Sequence, residues 1–167
     1  IGSLSKWAVE KENLGVKIIT GDRDLFQLVN DRVVVQLPGG KPGVNEDYFP
    51  EDVFKKMGVR PDQIVDYKAL VGDTSDNIPG VRGIGDKTAT SLLATYQTLD
   101  NLYGHIDEIS GRAGNALKEG KDQAYLSQEL ARIETGLGLS LDLKQADVHN
   151  FEPAAVEEIF RQLEFRT

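Results

Sequence analysis

Apolar positions along the first third of the chain alternate between helical and strand periods. Ile1, Leu4, Trp7 and Ala8 recur at i, i+3, i+6 and i+7, one face of a helix that Gly15 closes. Val16-Lys17-Ile18-Ile19-Thr20 follows as a short apolar strand, so an α/β unit opens the sequence. Asp24 to Val29 reads as a short helix and Val33 to Leu37 as a second strand. Pro38-Gly39-Gly40-Lys41-Pro42-Gly43 is a turn-rich loop. Pro50 to Met57 predicts a helix stopped by Gly58, and Pro61 is a good first-turn residue for another that runs to about Val71. A glycine-rich segment, Gly72 to Gly85, separates that helix from one over Asp86–Tyr96, with Ala89, Leu92, Leu93 and Tyr96 on one face. Beyond it the pattern predicts a short helix at Leu99–Tyr103, a longer one over Ala113–Glu134, a strand over the alternating Leu137–Leu143, and a last helix over Pro153–Leu163. Trp7 and Met57 read as core. Strands first and helices afterwards make this an α/β chain, the tail of a sheet domain joined to a helical part.

Composition narrows the classes. At 167 residues the chain is one domain, or one with a small appendage. It has no Cys, which excludes a disulfide scaffold and Cys-ligated zinc or iron–sulfur sites and fits a reducing cytoplasm. No apolar run approaches the roughly 18 residues of a membrane span. The formal charge is −8. Residues 1–77, 78–135 and 136–167 carry 10, 6 and 3 basic side chains against 13, 8 and 6 acidic ones, so no part is basic. That excludes a nucleic-acid binder that works by bulk charge.

Three clusters carry candidate chemistry. Asp22 and Asp24, in Thr20-Gly21-Asp22-Arg23-Asp24, stand at the carboxyl end of the first strand, the edge where open α/β sheets bind ligands. Two carboxylates there suit a hard divalent cation, and equally suit a turn residue followed by a helix cap. Asp73 and Asp76, in Gly72-Asp73-Thr74-Ser75-Asp76-Asn77, are three apart, and one helical turn would place them on one face. Only Arg23 stands near either pair in sequence, so a cation shared by both is a coherent reading, beside that of an ordinary loop with capping Asp residues. The third cluster is Ile78-Pro79-Gly80-Val81-Arg82-Gly83-Ile84-Gly85-Asp86-Lys87-Thr88-Ala89. A phosphate loop fails on Asp86, which splits Gly85 from Lys87; a dinucleotide fingerprint fails on Thr88, which stands where its third glycine belongs. A tight glycine hairpin between two helices remains. Its backbone N–H groups and the following helix N-terminus can hold a DNA phosphate without reading sequence, or it can simply pack two helices. His105 and His149 lie far from all three clusters and read as surface or packing residues.

These three motifs, in this order and at this spacing, resemble the 5′-nuclease (flap endonuclease) family, and most of all the N-terminal 5′→3′ exonuclease domains of bacterial DNA polymerases; the likeness runs over about residues 1 to 165. The resemblance implies a PIN-like parallel-sheet core in residues 1–77 and a helix–hairpin–helix DNA-binding region (H3TH) in 78–135. It also implies a strand and helix in 136–167 that pack back on the core. It implies Asp22, Asp24, Asp73 and Asp76 as metal ligands, and Gly80, Arg82, Gly83, Gly85, Lys87 and Thr88 as the DNA-contacting hairpin. Two Mg2+ or Mn2+ ions in the complete domain, and K+ at the hairpin carbonyls, belong to the same expectation. So do double-stranded DNA with a nick, a flap or a free 5′ end, a covalently linked polymerase, no membrane, and a place in the bacterial cytoplasm on the nucleoid. The family's remaining carboxylates and its catalytic Lys or Arg stand upstream of these motifs. The first helix here starts inside its own pattern, so the chain is expected to be the downstream part of the nuclease, without most of the carboxylate ligands of its first metal. The alternative from a different class is a non-catalytic helix–hairpin–helix DNA-binding module.

Overall fold

The computed structural model describes residues 1–40 and 43–165; Lys41 and Pro42 of the turn-rich loop and the terminal Arg166-Thr167 lie outside the described residues. Residues Ile1–Leu137 form one compact unit and Gly138–Thr167 a second. Helix α1 (Gly2–Glu10) precedes strand β1 (Val16–Ile19), a 3-10 turn over Arg23–Leu28, strand β2 (Val33–Pro38) and strand β3 (Asn45–Tyr48). Among the described residues six α-helices follow in the first unit: α2 (Pro50–Met57), α3 (Ile64–Val71), α4 (Asp86–Tyr96), α5 (Leu99–Gly104), α6 (Gly111–Glu119) and α7 (Lys121–Ala131). The second unit holds α8 (Pro153–Gln162). Among the described residues no helix is long and apolar enough to cross a membrane.

The sheet has the order β1-β2-β3. β1 pairs parallel with β2, Val16 opposite Val33 and Ile18 opposite Val35; β2 pairs antiparallel with β3, Val35 opposite Tyr48. β2 alternates as a half-covered strand must, with Val33, Val35 and Leu37 buried and the residues between them less so. β3 was not legible: Asn-Glu-Asp-Tyr offers only Tyr48 to the interior, and its strand exists because β2 presents an unpaired edge. Tyr48 stacks on the fully buried Phe26, ring centroids 4.8 Å apart, which ties the 3-10 turn to the sheet. The rest of the core runs through Val53, Ile64, Leu70, Ala89, Leu93, Leu99, Leu102 and Leu117, so sheet and helices share one interior.

Three expectations are corrected. The buried face of α1 consists of Gly2, Ser3 and Ser5, while Ile1 is 66% exposed and Trp7 only half-buried. Close approach is the cause: a Cβ at Gly2 would stand 2.7 Å from Ile133 Cγ2, and Ser3 Oγ donates to the Glu134 carbonyl at 3.2 Å. Small residues let a backbone come where larger apolar ones could not. The long helix over Ala113–Glu134 is two helices, interrupted at Gly120, where a Cβ would meet Val81 Cγ1 at 2.8 Å. The strand over Leu137–Leu143 does not form; the segment has neither helix nor strand, and Leu137, Leu139, Leu141 and Leu143 are all exposed. Alternation describes half-buried strands only where a sheet edge receives them.

Candidate functional site

Asp24 lies in the 3-10 turn that follows β1. That turn is capped by Asp22, whose Oδ1 accepts from the Asp24 N–H at 2.8 Å while its own N–H donates to Thr20 Oγ1 at 3.0 Å. Asp73 and Asp76 sit on a loop closed by an antiparallel bridge, Asp73 N–H to Ile78 O and Ile78 N–H to Asp73 O, both 2.8 Å. Asn77, at φ 56°, makes the tight corner between them. The loop is therefore a small hairpin rather than a turn of helix, and it carries both carboxylates to the 3-10 turn. One oxygen from each of Asp24, Asp73 and Asp76 lies within 4.8 Å of the others. Asp22 stands next to this group with its carboxylate engaged in the cap.

The sequence reading missed the partner. Lys68, in α3, is 6% exposed and its Nζ donates to Asp24 Oδ1 and, at 2.7 Å, to Asp73 Oδ2. The counter-charge is thus Lys68, not Arg23, which is exposed. A Lys among Ile64, Ala69 and Leu70 on the covered side of α3 was the available signal. The carboxylates respond differently. Asp73 is lowered to about 2, first by its hydrogen bond to Lys68 and then by Ser75. Asp24 is raised, because burial and the nearby Asp22 and Asp76 charges outweigh Lys68. Burial alone would lower Lys68, but its bonds to Asp24 and Asp73 hold it above its ordinary value. Three oxygen donors on two backbone segments, one of them disfavoured as an anion chiefly by its burial, suit a hard divalent cation.

Just beyond Asp76, the glycine segment forms a tight hairpin between α3 and α4. Its turn is held by Val81 N–H to Leu70 O at 2.8 Å and Ile84 N–H to Val81 O at 3.0 Å. Ile78, Val81, Ile84 and Leu93 are buried beneath it. Gly80 has φ +63°, and a Cβ on it would stand 2.3 Å from Gly72 N; only glycine fits. Its N–H is received by the hydroxyl of Ser127, fully buried in α7, at 3.0 Å. Gly83 also has positive φ, whereas Gly85 stands in extended backbone as the N-cap of α4 with open space around it. Arg82, Gly83, Gly85 and Lys87 are exposed and Thr88 is half-buried. Arg82 and Gly80 share with Arg112, Asn115 and Glu119 of α6 a groove of about 800 Å³.

The model of the family described as 5′-3′ exonuclease, C-terminal SAM fold, matches residues 59–154, which include Lys68, both carboxylates of the loop and the whole hairpin. The chain belongs to this 5′-3′ exonuclease family. It is 42% identical to a DNA polymerase I of Bacillus subtilis over 170 residues, all of this chain but 19% of that protein. It is 39% identical to a thermostable DNA polymerase I of Thermus thermophilus, with 99% of this chain and 19% of that protein covered. The chain thus spans about a fifth of the length of the curated relatives it matches. In fold it is similar to the 5′-exonuclease of T5, solved with divalent metal ions (zinc) bound, at a TM-score of 0.60 and 24% identity over 70% of this chain and 42% of that one. The T5 flap endonuclease in a complex with DNA and metal ions gives the same TM-score of 0.60 at 23% identity. His105 takes no part in either cluster: its ring bonds the Asn101 carbonyl at 2.8 Å and lies 5.7 Å from Tyr96.

Proposed function

We propose that the chain is the downstream part of a structure-specific 5′-nuclease that hydrolyses DNA phosphodiesters near 5′ ends in replication and repair. The observation that carries this reading is the placing of the Asp24–Asp73–Asp76 oxygens within 4.8 Å of one another, with Asp73 and Asp76 on the loop that leads directly into a glycine hairpin. Asp24, Asp73 and Asp76 would hold a divalent cation, Mg2+ or Mn2+, with Asp22 beside them. A second ion would be held largely by carboxylates of the segment that precedes these motifs in the family. Such ions supply charge neutralisation at the phosphodiester and activation of the attacking water. The chain's own residues position. Gly80, Gly83 and Gly85 open the backbone to a duplex phosphate, and Arg82, Lys87 and Thr88 flank it. K+ at the hairpin carbonyls fits the same reading. Residues 1–77 then serve as the cation-holding part and 78–135 as the DNA-gripping part. Because phosphate contacts carry no sequence information, selection follows DNA shape: a nick, a flap or a free 5′ end.

A polymerase domain linked to the nuclease, and work in the bacterial cytoplasm on the nucleoid, accord with relatives named DNA polymerase I. The second reading, a non-catalytic DNA-binding module, draws on Lys68, which already neutralises part of the acidic group. One experiment separates them. With the upstream part of the nuclease joined to this chain, Mg2+-dependent cleavage of a 5′-flap is measured for wild type and for D73A/D76A. The nuclease reading requires loss of about a thousandfold or more in rate, the order that removal of a charge-stabilising group costs. Cleavage at the wild-type rate would falsify the metal assignment, and calorimetry showing no Mn2+ uptake by wild type would leave the binding module.

A further inference from the structure

Helix α3 carries three consecutive polar residues, and each reaches a different neighbour. Asp66, buried, accepts from the Leu99 N–H at 2.9 Å and from Gln128 Nε2 at 2.6 Å, binding α3 to α5 and α7. Lys68 reaches Asp24 and Asp73. Between them Tyr67 donates its hydroxyl to Asp86 Oδ1 at 2.7 Å. Successive helical residues diverge by about 100°, so one short helix can face three elements at once. α4 is thereby held to the start and body of α3 at both of its ends. Gln63, just before α3, donates to the Leu93 and Gln97 carbonyls at 3.0 and 2.9 Å, and Tyr67 holds the first turn.

Asp86 suits the dipole of α4 but not an anion arriving at the same place. It is the acidic residue in the first turn of α4, whose N-cap Gly85 makes no side-chain cap bond. A free carboxylate there would oppose a phosphate arriving at the same N–H groups. We propose that Tyr67 is a positioning residue for DNA: by holding the Asp86 carboxylate against α3, it keeps the hairpin and the α4 N-terminus open to the phosphate backbone. It also fixes that grip relative to the carboxylates that the adjacent Lys68 touches. Burial and the Asp86 bond both push the Tyr67 hydroxyl up, so it stays a proton donor throughout the working pH range. This inference rests on the reading of the hairpin as a DNA contact.

The test is the affinity of this chain for a flap-bearing duplex, by fluorescence anisotropy at fixed salt, across a double-mutant cycle of Y67F and D86N. Phe keeps the ring in place, and Asn keeps an acceptor for Tyr67 without the charge. Y67F is expected to weaken binding by about tenfold, the worth of a hydrogen bond to a charged group. D86N should bind at least as well as wild type, and Y67F should cost less than about twofold in the D86N background, because no charge remains to be held. Calorimetric uptake of Mn2+ should be unchanged in all four proteins. If Y67F binds as wild type does, or if its loss persists undiminished with D86N, Tyr67 does not act through Asp86 and the inference is overturned. Should Y67F melt much below wild type, D86A replaces it: losing bond and charge together, it is expected to bind like D86N, and tenfold weaker binding overturns the inference. A wild-type chain that binds no duplex overturns the DNA reading itself.

Discussion

The carboxylate loop and the glycine hairpin are adjacent in sequence and built on the same helix, yet they are held by different forces. Around Asp24, Asp73 and Asp76 the structure is electrostatic: a nearly buried ammonium between two carboxylates, with a third carboxylate exposed. Around Gly80 it is steric: a backbone approach that excludes any Cβ, a buried hydroxyl that satisfies the Gly80 N–H, and an apolar layer beneath. The first arrangement answers to pH, salt and cations. The second is indifferent to them, because exclusion of atoms has no dependence on charge. A binding site meant to exchange an ion tolerates soft, charge-set geometry, whereas a backbone cradle keeps its shape only if packing forbids the alternatives.

The sharpest way to break the contrast is Gly80→Ala. With φ +63° and backbone atoms 2.3 to 2.7 Å from the added Cβ, it is expected to cost about 4 kcal/mol or more of stability, read by denaturant melts. The same change at Gly85, in extended backbone with nothing within 4 Å, should cost less than about 1 kcal/mol. Equal losses at the two positions would show that the hairpin is not sterically determined. Next comes Lys68→Met, which keeps most of the volume and leaves two half-buried carboxylates without their partner. It is expected to cost about 2 to 3 kcal/mol at neutral pH, and Mg2+ should recover part of it, which it cannot do for Gly80→Ala.

The pH dependence carries the same signature. Asp73 is lowered from 3.8 to about 2, so its share of stability is complete above its unfolded value and fades as pH falls from about 4 towards 2. In Lys68→Met that part of the acid transition should shrink, in a thermal-melt series over pH, to the share that Ser75 supplies. A smaller effect than that of Lys68→Met is expected at Ser127→Ala. It leaves the inward Gly80 N–H unpaired and should cost about 1 to 2 kcal/mol, with no response to salt or cations.

Much of this molecule is written locally. The helices over Pro50–Met57 and Asp86–Tyr96, with Gly58 and Gly85 at their borders, follow from spacing and capping, and both appear at the expected residues. Asp24, Asp73 and Asp76 could be named because carboxylates flanking apolar elements are unusual within a short window. The hairpin could be named because Gly80, Gly83 and Gly85 cluster in one short stretch; φ is positive at Gly80 and Gly83, and close approach excludes a Cβ at Gly80. The errors share a physical cause. β3 exists only because β2 offers an edge, α1 turns its small residues inward only because residues 133–135 lie against it, and the alternation at Leu137–Leu143 found no partner strand.

Sequence alone determined most of the helical segments, which residues could hold a cation, and where glycines cluster, since these depend on neighbours within a turn or two. Tertiary structure decided the rest. It brought Asp24 to Asp73 across 49 positions of chain, placed Lys68 between them, set Ser127 under Gly80 and turned Tyr67 onto Asp86. A charge or a hydroxyl is satisfied by whatever the fold sets within about 3 Å of it, and that distance has no counterpart in spacing along the chain.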